Sequence, residues 1–126
     1  GRMWTLVISF PPDFALESGL KTKQDYYMMT KAIMPKFILD NDMDLTNTYW
    51  YSSLHRDTDN PHLHICIFEK EQRRKKDTLE KTSMKYLKSN IASYLIDNTS
   101  FYKEQDYLFL GLDYKIYFLV ISLEKV

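Results

Sequence analysis

The residues best equipped for chemistry in this chain are His55, His62 and His64, its only three histidines in 126 residues. All lie in one segment, His55-Arg56-Asp57-Thr58-Asp59-Asn60-Pro61-His62-Leu63-His64. Neutral imidazole is the commonest metal ligand among side chains, so the spacing is worth converting into geometry. Tyr49 to His55 reads as a strand, since Tyr, Trp and Ser suit a pleated surface. His62 to Phe68 reads as a second strand. The turn formers Asp57-Thr58-Asp59-Asn60-Pro61 separate them, which predicts an antiparallel hairpin closed by a loop of about five residues.

Side chains alternate faces along a strand, so His62 and His64 point the same way, with Cα atoms about 7 Å apart. His55 shares a face with Tyr49, Tyr51 and Ser53, and pairing across the hairpin brings it beside His62. The other face carries Trp50, Leu54, Leu63, Ile65 and Ile67 and calls for a covering of helices. Three imidazoles on one ion leave coordination positions open for water or substrate, the pattern of a catalytic site. Asp57 or Asp59 is expected to orient a ligand ring from behind. The competing reading is a set of exposed loop histidines with no metal. Cys66 falls on the face of His62 and His64, as a fourth ligand or a buried free thiol.

The segment Trp50-Tyr51-Ser52-Ser53-Leu54-His55 through His62-Leu63-His64-Ile65 resembles the metal motif of plasmid mobilisation relaxases. These belong to the HUH endonucleases, named for histidine–hydrophobic–histidine, and the likeness is to the MobL type. It takes in Trp4-Thr5-Leu6-Val7-Ile8-Ser9-Phe10-Pro11, continues through Phe68-Glu69-Lys70 and more weakly from Lys85 to Asp97, and covers residues 3–105. The resemblance implies that His55, His62 and His64 are metal ligands. It implies nicking of single-stranded DNA at a plasmid transfer origin and strand transfer during conjugation. In that reaction a tyrosine attacks the scissile phosphate, leaving a 5′-phosphotyrosyl link and a free 3′-hydroxyl, while the ion acts as a Lewis acid. Three imidazoles suit Mn²⁺, Co²⁺, Ni²⁺ or Zn²⁺ better than Mg²⁺, and Mn²⁺ is the expected ion. The implied partners are single-stranded DNA and other transfer proteins.

The nucleophile is where the sequence departs from the family. In relaxases the tyrosine precedes the strand that Trp4–Phe10 resembles, and here only Gly1-Arg2-Met3 come before it. The expectation is therefore a piece of a longer protein, without the nucleophile segment. The related replication initiators carry Tyr-x-x-Lys after the histidines. Here Tyr86 is followed by Ser89, Tyr94 by Asp97 and Tyr102 by Gln105. Tyr86, on the more polar face of its helix, is the remaining downstream candidate; Tyr26 and Tyr27 read as packing residues. Two other functions compete. One is a non-catalytic, metal-containing DNA-binding remnant. The other is a nucleotide hydrolase of the histidine-triad type, whose His-x-His-x-His motif would here have Cys66 in third place and leave His55 unexplained.

Composition bounds these readings. Apolar content of 44% and charged content of 27% describe a globular chain rather than a disordered one. The length suits a single domain, 1–126. Seventeen Lys and Arg balance seventeen Asp and Glu, so overall charge gives no support for nucleic-acid binding. Arg56 and the run Arg73-Arg74-Lys75-Lys76 are the local candidates for phosphate contact. Ten tyrosines and two tryptophans are a heavy aromatic load, and Tyr49 and Tyr51, on the histidine face, are the candidates for base stacking. The single cysteine excludes an internal disulfide and fits a reducing cytosol; the resemblance implies a bacterial or plasmid-encoded protein of the cytoplasm. Neither a signal peptide nor an apolar run of about 20 residues is present, and no membrane role is expected.

The elements that must position the histidines follow from pattern. Trp4 to Phe10 is a strand stopped by Pro11-Pro12. Residues 13–22 form a loop with Gly19. Thr22 caps a helix from Lys23 to Leu39, which Pro35 should kink or split. After the histidine hairpin, Glu71 to Lys81 is loop. Thr82 to Asp97 is a helix whose apolar stripe is Met84, Leu87, Ile91 and Leu95. Phe101 to Leu110 reads as another short helix and Tyr114 to Leu123 as a last strand. The order implies an α+β fold: an antiparallel central sheet with helices packed on one face, related to split β-α-β folds. The tail 106–126 has no recognised likeness; it either extends the sheet or leaves an edge.

Overall fold

A computed structural model describes residues 2–56, 60–98 and 117–125. It has strand β1 (Arg2–Ser9), helices α1 (Pro12–Glu17) and α2 (Lys23–Asp40), strands β2 (Thr48–His55) and β3 (His62–Glu69), helix α3 (Lys81–Asn98) and strand β4 (Tyr117–Lys125). The fold is α+β, an antiparallel sheet in the order β2-β3-β1-β4. The tail thus extends the sheet: β4 pairs with β1 from Arg2↔Lys125 to Ser9↔Tyr117, with a register shift between Val7 and Ile8. The expected helix at 101–110 lies outside the described residues.

Period-2 alternation decides the two faces of the sheet. Trp4, Leu6 and Ile8 of β1 and Leu63, Ile65 and Ile67 of β3 are buried, and Trp50 and Leu54 of β2 pack against them. The helices cover that side. α2 buries Tyr26, Met29, Thr30, Ile33, Met34, Phe37 and Ile38, a 3.6-period stripe. α3 adds Leu87, Ile91 and Leu95. The opposite face is left to Tyr49, Tyr51, Ser53 and His55 of β2 and to His62, His64, Cys66 and Phe68 of β3.

Local signals set the helix boundaries. Thr22 Oγ1 accepts from the Asp25 amide while the Asp25 carboxylate accepts from the Thr22 amide, a capping box that starts α2. Asn41 and Asp42 end it in a Schellman turn: Met43 N donates to Ile38 O and Asp42 N to Leu39 O, with Asp42 at φ 57°. Pro35 neither splits α2 nor ends it. It sits on the exposed side of the helix, where water can satisfy the carbonyl that loses its donor. The expected loop at 13–22 contains the short helix α1, because a proline at the first helical position starts a helix as readily as it stops a strand. Gly19, at φ 86°, closes it.

Candidate metal centre

The hairpin registers as its alternation requires. His55 pairs with His62, Ser53 with His64, Tyr51 with Cys66 and Tyr49 with Phe68, all toward the open face. On the far side of β3, Ser9 pairs with His62 and Val7 with His64. Phe10 N donates to Pro61 O at 3.0 Å, which ties the entry of β3 to the end of β1. The His55 and His64 ring centroids are 4.2 Å apart, and those of His62 and His64 6.5 Å. Ser53 Oγ lies 3.2 Å from His55 Nε2. Burial, and after it the neighbouring His55 and His62, hold the His64 pKa below its ordinary value. That favours the neutral ring, the form that ligates a metal.

Two imidazoles ligating one ion at about 2.1 Å place their ring centroids about 5 Å apart. The two measured separations, 4.2 and 6.5 Å, fall on either side of that value. Among the described residues no three His, Cys, Asp or Glu side chains stand already grouped as a coordination shell. The donor set nevertheless fits a borderline divalent ion, with three nitrogen donors on one rigid hairpin. Cys66 is a free, half-buried thiol on the same face, its register partners Tyr51 and Thr5 rather than a histidine.

The structure separates the remaining sequence candidates. Asp57 and Asp59 lie outside the described residues. Tyr49 and Tyr51 are exposed on the histidine face, and Tyr49 stacks on Phe68 with centroids 5.7 Å apart. The Tyr51 hydroxyl reaches across β3 to the Met3 sulfur, away from the histidines. Tyr86 is exposed on α3 with Lys36 Nζ 5.1 Å from its ring centre, in the helical layer on the other side of the sheet. The structure does not bring it to the histidines.

The run 73–76 follows the far end of β3, about 17 Å or more along the strand from His64. Arg73 is exposed and pairs with Glu71 and Asp44, and Lys76 pairs with Glu80. Lys75 is exposed, and its carbonyl accepts from Arg2. Arg74 alone departs from the expected exposed phosphate contacts of this run. Its side chain is only 4% exposed, and its guanidinium donates to the carbonyls of Asn41 and Thr78 and pairs with Glu80. It is a structural clamp. Arg56, by contrast, follows His55 directly, with its guanidinium 5.9 Å from the Tyr26 ring centre.

A family model for the MobL relaxases matches residues 1–106. The chain belongs to the MobL relaxase family. No curated protein and no solved structure gives a significant match. The matched span carries β1, the helical layer and the whole histidine hairpin of this relaxase domain; β4 lies beyond it. No described helix is long and apolar enough to cross a membrane.

Sequence reasoning missed two polar residues near the histidine end of the sheet. Lys23 and Tyr26, from the first turns of α2, line a cleft with Ser53 and Leu54 of β2 and Leu63 of β3. Tyr26 obeys the apolar stripe of α2, so nothing in the sequence distinguishes it from a packing residue.

Proposed function

We propose that this chain is the metal- and DNA-binding part of a relaxase that nicks and transfers single-stranded DNA at a plasmid transfer origin. The observation that carries the proposal is the gathering of His55, His62 and His64 on the open sheet face of a MobL relaxase domain. These three residues would hold the divalent ion, with Mn²⁺ the expected metal. When bound, the ion polarises the scissile phosphate and offsets its charge.

The protein's own residues do the rest. The hairpin register fixes the backbone positions of the three histidines on one face, so a bound ion has only side-chain rotations left to select. The polar and aromatic strip from Ser53 to Tyr49 offers the strand a surface on which bases can stack. Arg56 follows His55 in the chain and carries its charge over the Tyr26 ring, where a strand leaving the histidines would meet it. Burial, and after it the neighbouring His55 and His62, favour the unprotonated form of the His64 ring.

Calorimetric titration with Mn²⁺, paired with an anisotropy titration of labelled single-stranded DNA, tests the reading. Wild type should bind one ion, and bind DNA more tightly when it is loaded. His64→Ala should lose both effects. A wild-type chain that takes up no divalent ion, together with DNA binding indifferent to His64→Ala, would overturn it. Cleavage with formation of a covalent DNA adduct by the chain would establish that it also carries its own nucleophile; metal-dependent binding without cleavage would assign it the binding role alone.

A further inference from the structure

We propose that the cleft between the first turns of α2 and the edge of β2 seats one unpaired nucleoside of the bound strand, next to the phosphate at the histidines. The inference rests on the single-stranded-DNA reading above and adds a specificity site on the other side of the sheet edge. β2 is an outer strand, so a chain lying on the histidine face can pass over its edge into the cleft. Ser53 belongs to both places: it lines the cleft, and its Oγ lies 3.2 Å from His55 Nε2.

The cleft has the parts a nucleoside needs. Its volume of about 280 Å³ is just below the range of drug-sized ligand sites. Leu54, Leu63 and the Tyr27 ring give apolar walls for a base face. Lys23 lines it and Arg56 stands over the Tyr26 ring; among the described residues neither has an ion pair or hydrogen bond. A lysine in the cleft and an arginine over one of its lining rings suit a phosphodiester.

Tyr26 is the second, independent observation. The residue is 2% exposed, and among the described residues its buried hydroxyl has no hydrogen-bond partner. An unsatisfied buried hydroxyl costs about 1–3 kcal/mol. Its ring has packing reasons to be here, edge-on to Phe10 at 5.6 Å, and phenylalanine would serve those equally well. Among the described residues nothing bonds this hydroxyl, and an acceptor on the edge of a base seated in the cleft beside Tyr26 would satisfy it. Burial pushes its pKa up to about 12, so it is a neutral donor throughout the physiological range.

The experiment measures anisotropy with labelled single-stranded oligonucleotides of about 20 nucleotides, longer than typical single-strand sites. A sugar–phosphate strand of the same length without bases serves as the comparison. Tyr26→Phe should weaken binding of the base-bearing strand about threefold to tenfold and leave the abasic strand unchanged. Its melting temperature should be unchanged or higher, because no hydrogen bond to a described residue is lost. Lys23→Gln should weaken both strands. If Tyr26→Phe and Lys23→Gln bind every strand as wild type does while His64→Ala does not, the cleft inference falls and the relaxase reading stands. If wild type binds neither strand, both fall.

Discussion

His55 and His64 are diagonal neighbours across β2 and β3, and their ring centroids lie 4.2 Å apart. The register partner of His55 is His62, while the ring of His64 has both other histidine rings within 6.5 Å. Diagonal partners in a sheet are normally about 7–8 Å apart at the backbone, within reach of long side chains. The hairpin thus gathers three nitrogen-bearing rings on one patch of the sheet face with no acid in the described cluster.

Each ring should therefore matter to metal affinity. His55→Ala, His62→Ala and His64→Ala should each weaken Mn²⁺ or Zn²⁺ binding by roughly a hundredfold or more, since even residues behind the ligands are worth 10–100-fold. Ser53→Ala removes only the hydroxyl beside His55 Nε2 and should lower affinity less than any of the three histidine variants. Isothermal titration checks the series; three alanine variants with wild-type affinity would disprove the shared site.

The Tyr49–Phe68 stack should bind unpaired bases. Stacking on an aromatic side chain is worth about 1–3 kcal/mol per base, so Tyr49→Ala should weaken single-stranded DNA binding at least about fivefold. Loss of its cross-strand contact should cost the fold only about 0.2–1 kcal/mol. Anisotropy and denaturant titrations on the same variant separate the two. Unaltered affinity would make the stack a purely structural pair.

Arg74 and Arg73 should behave oppositely to their shared charge. Arg74→Ala removes the donors to the Asn41 and Thr78 carbonyls and should destabilise by about 2–4 kcal/mol. Arg73→Ala, on the surface, should change stability by no more than about 0.5 kcal/mol. Urea midpoints measure both, and equal shifts would contradict the clamp.

The α2 capping box should show in acid. Backbone and side-chain hydrogen bonds from Thr22, with help from Lys21, hold the Asp25 carboxyl below its ordinary pKa. A lowered folded-state pKa means the contribution is complete above the unfolded-state pKa of about 4 and is lost as pH falls through the folded value. Asp25→Asn should flatten that part of the stability curve. Thr22→Ala should cost about 0.5–2 kcal/mol at neutral pH. Melting temperatures measured across acid pH test both, and an Asp25→Asn variant with an unchanged acid limb would remove the carboxylate from the account.

Short-range chemistry made the hairpin, the α2 cap and the α3 stripe readable without coordinates. A turn cluster between two period-2 runs leaves few registers that keep Leu63, Ile65 and Ile67 inside, and that constraint alone turns His55, His62 and His64 outward together. What depended on distant partners was not readable. Arg74 looks like any basic loop residue until Asn41 is found beside it. Pro12 looked like a stop until it began α1.

The sequence by itself determined which residues share a face, because alternation is a property of each strand and needs no partner. Only the tertiary structure decided that β4 joins β1, that Tyr86 lies on the far side of the sheet from the histidines, and that Tyr26, Lys23 and Arg56 meet at one edge. Those outcomes depend on how helices and strands far apart in the chain bury one common core. Burial is non-directional, so a single stretch of sequence cannot specify its neighbours.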